Sequence, residues 1–496
     1  MLSTAAVSSA EENHAVTEPG MRLSTSFLNR FLLGFVSYVV MRFFSLPQRA
    51  HKVLACALMI VLSYPLNALA NSVLHHERQH TPRHLLVGYF PQWGIDDPEP
   101  FYVKALVTNG SAARLDQIDY AQGAVRDGRC SLADPESDLN TTYTSQNSVN
   151  GIADADQSSF RGYFHQLKEL KHRYPKLKIL ISLEGNAADF AEDAKPENRS
   201  AFVASCVDTF LRGRFAPGIS EPNIFDGFDI DWESPQQQDA ANFRALLVEF
   251  RRQMKAMRSG LRLTIAVGQA PRMLPGTDFA AIAPLVDLVG VMNYDYAGPW
   301  STRTGLLAPL FSAPALSNQS DSIERSIASY KAAGVPEEKL LMGLPFYGYG
   351  WKGVGNVNNG LFQSGRAVHG DEPYHYIRGL AAPSSVHRDE RSQEPWLFDG
   401  QTFWTYEDPV SVRYKVSYAA DQHLGGVMVW ELSGDTTDAE LLNIAYRSLH
   451  HPLHSRVFAE AIAGEATATP YSPPPQSTPA STPASSEPAV PSTLSN

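Results

Sequence analysis

The chain has 496 residues, 43% of them apolar and 10% aromatic, enough for one large globular domain with appendages. Its formal charge of −11 becomes −13 once residues 1–70 are set aside, which argues against nucleic acid as a partner and leaves a neutral polymer such as a glycan unrepelled. The three cysteines, Cys56, Cys130 and Cys206, match no zinc-binding spacing.

Residues 1–70 carry two short apolar runs, Phe31 to Met41 and Val53 to Leu62, each shorter than the roughly 20 residues a membrane-crossing helix needs. The second run follows Arg49 and Lys52 and leads to Ala68-Leu69-Ala70, the order of a secretory signal peptide. The sequence therefore predicts a leader over 1–70, cleaved after Ala70, and a secreted protein with no stable membrane partner. The first forty residues exceed what such a leader requires, so the expected start is Met41 or the leader is long; an uncleaved anchor built from both runs is the competing reading. Cleavage also removes Cys56, leaving Cys130 and Cys206 either as a disulfide or as two buried thiols.

After a short extension over 71–84, residues 85–450 alternate apolar runs with amphipathic helical patterns, the mark of βα units around a parallel sheet. The strands expected are Leu85–Phe90, Gln117–Ala121, Leu177–Ser182, Phe225–Trp232, Leu261–Val267, Leu285–Asn293, Leu340–Phe346 and Gly426–Trp430. Helices are expected at Phe160–Arg173, Phe202–Arg212, Ala240–Met257, Ser322–Ala333 and Pro409–Gln422. Eight such units argue for a (β/α)8 TIM barrel, with its active site at the C-terminal ends of the strands. The stretch 348–407, between the seventh and eighth strands, is too long for a plain connection. From 464 to 496 the chain is rich in Pro, Ser and Thr without Lys or Arg, and is expected to be disordered.

One stretch concentrates chemistry: Asp226-Gly227-Phe228-Asp229-Ile230-Asp231-Trp232-Glu233. On a strand, alternate side chains share a face, so Asp229, Asp231 and Glu233 point one way and Phe228, Ile230 and Trp232 the other. The apolar trio must be covered, which leaves the acids lined up inside the sheet. Their mutual repulsion raises the proton affinity of at least one of them, the condition for acid catalysis near neutral pH. A cation-binding or helix-capping strand end is the plainer alternative.

This stretch resembles the DGxDxDWE signature of glycoside hydrolase family 18, the chitinases and their relatives. The resemblance implies a barrel with a small α+β insertion between strands seven and eight. It implies that Glu233 protonates the glycosidic oxygen and that Asp231 turns toward the acid or the substrate's acetamido group, with Asp229 as its deeper partner and Asp226 structural. Family 18 is an exception among retaining glycosidases in that the substrate's own acetamido oxygen attacks the anomeric carbon. Met292-Asn293-Tyr294-Asp295 resembles the sixth-strand motif, with Tyr294 holding that oxygen and Asp295 bonding the sugar. Trp430 matches the floor under the sugar, Tyr89 and Ser182 match bonding partners of Asp229, and Tyr347 matches a residue beside the cleft. Met292 is carried over as a substrate contact, and Trp93, Trp300, Trp351 and Trp396 are candidates for outer sugar subsites.

The chain also departs from the pattern. Ser182-Leu183-Glu184-Gly185-Asn186 puts Glu184 where glycine is usual and Asn186 where an aromatic is usual. Gln122, Ser234 and Tyr349 replace an aromatic, a tyrosine and an arginine. The resemblance thus implies a hydrolase of chitin or another N-acetylglucosamine-containing glycan that requires no metal or organic cofactor. An endo-β-N-acetylglucosaminidase, a peptidoglycan hydrolase and a chitin-binding lectin that has lost activity are the competing functions.

Overall fold

A computed structural model describes residues 84–155, 158–312, 321–368, 370–382, 384–454 and 456–458. The expected leader over 1–70, nearly all of the 71–84 extension and the 464–496 tail lie outside the described residues. Eight parallel strands form a closed ring: β1 (Leu85–Pro91), β2 (Gln117–Arg126), β3 (Lys178–Glu184), β4 (Gly227–Asp231), β5 (Arg262–Val267), β6 (Leu288–Val291), β7 (Leu340–Pro345) and β8 (Gly426–Trp430). Each pairs with the next, and β1 pairs with both β2 and β8, so no edge is left open. This is the (β/α)8 barrel the alternation predicts.

The helices cover the outside because their apolar residues recur at helical spacing. In α3 (Ala240–Met257), Phe243, Leu246, Leu247, Phe250 and Met254 are buried. Its Phe250 meets Phe228 of β4 with ring centroids 5.2 Å apart. The other main helices are α1 (Gly162–Arg173), α2 (Arg199–Cys206, extended by a wider turn to Leu211), α4 (Ile323–Ala332), α5 (Pro409–Asp421) and α6 (Glu440–His450). No helix among the described residues is long and apolar enough to cross a membrane.

Three expected strands change length by three residues or more. The run Leu285–Asn293 contracts to Leu288–Val291 because Pro284 sets a tight turn over Ala283–Leu285. Phe225 and Asp226 precede β4, whose first residue Gly227 has φ 155° and would bring a Cβ against the Arg262 carbonyl, so only glycine fits there. Strand β2 instead runs five residues beyond Ala121 and folds back as a hairpin with Arg129–Leu132. Cys130 on that hairpin is disulfide-bonded to Cys206 of α2, closing a separation of 76 residues.

Tyr347–Lys352 leads into the insertion, which builds an antiparallel sheet with Arg366–Ala367, Thr402–Thr405, Pro395–Phe398 and Val386–Arg388, plus a helix at Tyr374–Leu380. It has a core of its own, including Trp351, Trp396, Phe398 and Phe403.

Candidate active site

Strand β4 sets the geometry. Phe228, Ile230 and Trp232 point to the helices, where Trp232 stacks on Phe190 at 5.4 Å and meets Phe243 edge-on. Asp229 and Asp231 therefore face the barrel interior, as alternation requires. Glu233 lies two residues beyond the strand end and is exposed at the mouth. Asp226, of opposite parity, accepts from the Ile179 backbone N–H at 3.1 Å and from Lys171 at 2.7 Å, with Lys178 and Arg258 within 4 Å; it is structural.

Three hydroxyls donate to Asp229: Tyr89 and Ser182 to Oδ2, each at 2.9 Å, and Thr264 to Oδ1 at 2.6 Å. Burial pushes the Asp229 carboxyl up, and those three bonds pull it part of the way back. Asp231 has no such relief. Burial, then Asp229, Glu233 and Glu184, all drive its proton affinity well above the ordinary range, and its Oδ1 is buried without a hydrogen-bond partner among the described residues. Beneath them, Asp119 on β2 is also raised by burial and by Asp229, steadied by the Gln117 amide at 2.8 Å. The result is a column of acids whose proton affinities are raised first by burial.

Beyond β6 the chain turns so that Tyr294 and Asp295 enter the mouth. Asp295 adopts φ 63°, a left-handed conformation that aspartate tolerates. Its Oδ1 accepts from Tyr347 at 2.6 Å, and Tyr349 bonds the same carboxylate. Burial and the surrounding acids, Asp295 first, keep the Tyr294 phenol protonated and hence a donor. Glu233, Met292, Tyr294 and Asp295 together line an open cleft of about 180 Å³.

Trp430 ends β8, 5.3 Å from the ring of Tyr89 and 6.0 Å from that of Trp93. Across the mouth the exposed Trp300 packs on Tyr349 at 5.5 Å. Trp351 and Trp396, expected as outer sugar contacts, are instead buried in the insertion, because their strand faces turn into its separate core. Three residues of the site escape the sequence reading: Thr264, Asp119 and Glu431. Inward parity on β5 and β2 was the available signal for the first two. Glu431, held by Ser433 and Trp93 and pushed up by burial to about 7, follows Trp430 directly.

The model of glycosyl hydrolases family 18 matches residues 85–435. Chitinase C of Streptomyces lividans is 32% identical over 374 residues, covering 71% of this chain and 58% of that protein. Chitinase A1 of Niallia circulans is 31% identical, over 63% of this chain and 47% of that protein. The chain thus spans less than two thirds of the length of these relatives. Among solved structures, the catalytic domain of psychrophilic chitinase B from Arthrobacter TAD20 superposes with a TM-score of 0.69 at 30% identity, covering 75% of this chain and 96% of that one. A family 18 N-acetylglucosaminidase from Paenibacillus barengoltzii superposes at 0.58 with 30% identity, covering 73% and 99%.

Proposed function

The chain belongs to glycoside hydrolase family 18, and from that premise we propose that it is a chitinase, cleaving β-1,4 bonds between N-acetylglucosamine units with retention through an oxazolinium ion. The observation that carries this reading is the company of Asp231: buried, short of a hydrogen bond, and surrounded by acids. Such a group is costly in the free protein. It is relieved when positive charge grows beside it, as happens on an acetamido group whose oxygen is attacking the anomeric carbon.

The roles follow from position. Glu233 at the mouth donates its proton to the leaving oxygen and later takes one from the attacking water. The Tyr294 phenol, a donor at every working pH, fixes the acetamido oxygen. Asp231 accepts from the acetamido N–H, while Asp229, tied by Tyr89, Ser182 and Thr264, anchors it from below. Trp430 supplies an apolar floor for the pyranose, and Asp295 and Met292 line the same cleft. Export is part of the proposal, supported by the leader pattern and by the Cys130–Cys206 disulfide, which suits an oxidising compartment.

Incubation with chitin oligomers, a high-mannose glycoprotein and peptidoglycan, with product and anomer analysis, tests it. The expected result is β-anomeric products from chitin oligomers. Glu233→Gln is expected to lower turnover about 10²–10⁴-fold while sugar binding persists. Nearly full turnover in that variant, or inverted products, would end the proposal.

A further inference from the structure

Asp295 is held in a strained backbone. Its φ of 63° is one that aspartate tolerates at some cost and keeps where its surroundings fix it. Three ties do so. On one side the Gln269 amide donates to the Tyr294 carbonyl at 2.7 Å, on the other the Tyr296 N–H donates to the Leu307 carbonyl at 3.0 Å, and Tyr347 and Tyr349 hold the carboxylate itself. Leu307 lies in the long connection from β6 to α4, and its own N–H donates to Thr405 Oγ1 at 2.9 Å. Thr405 ends the insertion strand Thr402–Thr405 and is fully buried. Its hydroxyl donates in turn to Glu394 Oε1 at 3.1 Å, and the Ala308 N–H reaches both Glu394 oxygens, at 2.9 and 3.1 Å. Thr405 is also the antiparallel register partner of Tyr349. The contacts close a circuit: from the Asp295 carboxylate to Tyr349, across the sheet to Thr405, on to Leu307, and back through the Tyr296 N–H to the peptide beside Asp295. The outer part of the connection is tied separately, by Thr304 to the Gly360 and Gln363 carbonyls.

We infer that Thr405 is a positioning residue for Asp295, and that through it the insertion sets how firmly the cleft grips its sugar. The inference rests on the reading of Asp295 as a sugar contact. Thr405 lies in the insertion sheet and acts only through the chain it holds. A buried N–H is costly to leave unpaired, so without the hydroxyl Leu307 must shift or lose its bond. Either change loosens the Tyr296 peptide and lets the Asp295 backbone relax from its strained angle. A contact that makes no bond to the reacting atoms acts alike before and during reaction, so its loss falls on KM rather than on kcat.

The experiment measures kcat and KM on a fluorogenic N-acetylglucosamine oligomer, and Kd for a chitin tetramer by calorimetry. The proteins are the wild type, Thr405→Val, Thr405→Ser, Asp295→Gly and the double variant. Thr405→Val keeps the shape and removes the hydroxyl; KM and Kd are expected to rise about fivefold, with kcat within about twofold of the wild type. Thr405→Ser restores the hydroxyl and is expected to return both constants to within about twofold. Asp295→Gly removes the sugar contact and suits the left-handed backbone, so in that background Thr405→Val is expected to add less than about twofold. An unmoved KM and Kd in Thr405→Val, an equal loss in the Asp295→Gly background, or an Asp295→Gly protein that binds like the wild type overturns the inference. If Thr405→Val does not fold, Thr405→Ala takes its place, because its smaller side chain admits a water to the Leu307 N–H; a rise of at least about twofold is then expected, and no rise overturns the inference. A wild type that binds the tetramer without turnover sinks the chitinase reading, while the Kd shift still decides the role of Thr405. Turnover with no shift sinks that role alone.

Discussion

Inside the barrel, Asp229 and Asp231 are met only by hydroxyls and by other acids, whereas at the seam between the insertion and α5 the buried Glu394 and Glu407 close on the ammonium of Lys415. Both sets are out of water. In the seam all three charged side chains are fully buried, and Glu394 also accepts from the Ala308 backbone N–H at 2.9 Å and from Thr405 at 3.1 Å. Asp226 behaves like the seam, although it is only three residues from Asp229: it sits among Lys171, Lys178 and Arg258. The contrast separates two uses of buried charge. The seam acids and Asp226, which hold the chain together, are given a cation, and the barrel acids, placed for chemistry, are left for the substrate to satisfy.

The largest effect expected from this contrast is at Lys415. Lys415→Met leaves two buried carboxylates facing each other without a counter-charge, and is expected to cost about 3–5 kcal/mol in urea unfolding at neutral pH. The deficit should shrink in acid. In the wild type, Glu394 is raised by burial to about 7. A glutamate raised above its unfolded value binds more protons when folded, so its contribution to stability is fully present below the ordinary glutamate range and is lost as pH rises through about 7. A Lys415→Met protein as stable as the wild type at pH 7–8 would erase the distinction drawn above.

Asp229→Asn should do the reverse. It removes a buried ionisable group that has no cation, keeps one acceptor oxygen for Tyr89 and Ser182 and turns an amide N–H toward the Thr264 hydroxyl, which can rotate to accept it, and is expected to leave stability within about 1 kcal/mol of the wild type. Turnover should nevertheless fall about a hundredfold, because Asp231 loses its ionisable partner. Paired unfolding and kinetic measurements check this. If Asp229→Asn unfolded as readily as Lys415→Met, the barrel acids would be structural after all.

Much of this was legible from period and parity. The DGxDxDWE stretch fixed which β4 side chains turn inward, because a two-residue repeat admits only two faces and the apolar one must be covered. The barrel followed from eight alternating units. What the sequence did not reveal is what depends on distant partners. Thr264 meets Asp229 across 35 residues, and Ala308 meets Glu394 across 86, and neither pairing leaves a local pattern. Trp351 and Trp396 misled for a related reason: an aromatic on a short antiparallel strand reads the same whether its face is a second core or a sugar site. Lys415 lies in a helix that is buried nearly all round, a setting in which composition gives no warning of an ion cluster.

The finest test of the contrast is at Thr264, whose hydroxyl is the closest of the three on Asp229. Valine has nearly the same shape and no donor. Removing that bond withdraws one of the influences that lower the Asp229 proton affinity, against the burial that raises it. The carboxyl should therefore hold its proton to still higher pH. Because turnover in this reading needs Asp229 ionised beside Asp231, the acid limb of kcat/KM in Thr264→Val is expected to move upward by about one pH unit, equivalent to about 1.4 kcal/mol. Sign and direction both matter here. A limb that moved downward would mean the hydroxyl favours the protonated carboxyl, and an unmoved limb would mean that Tyr89 and Ser182 alone set the charge on Asp229. Either outcome would return the barrel acids to the class in which a fixed protein partner, rather than the arriving sugar, decides their state.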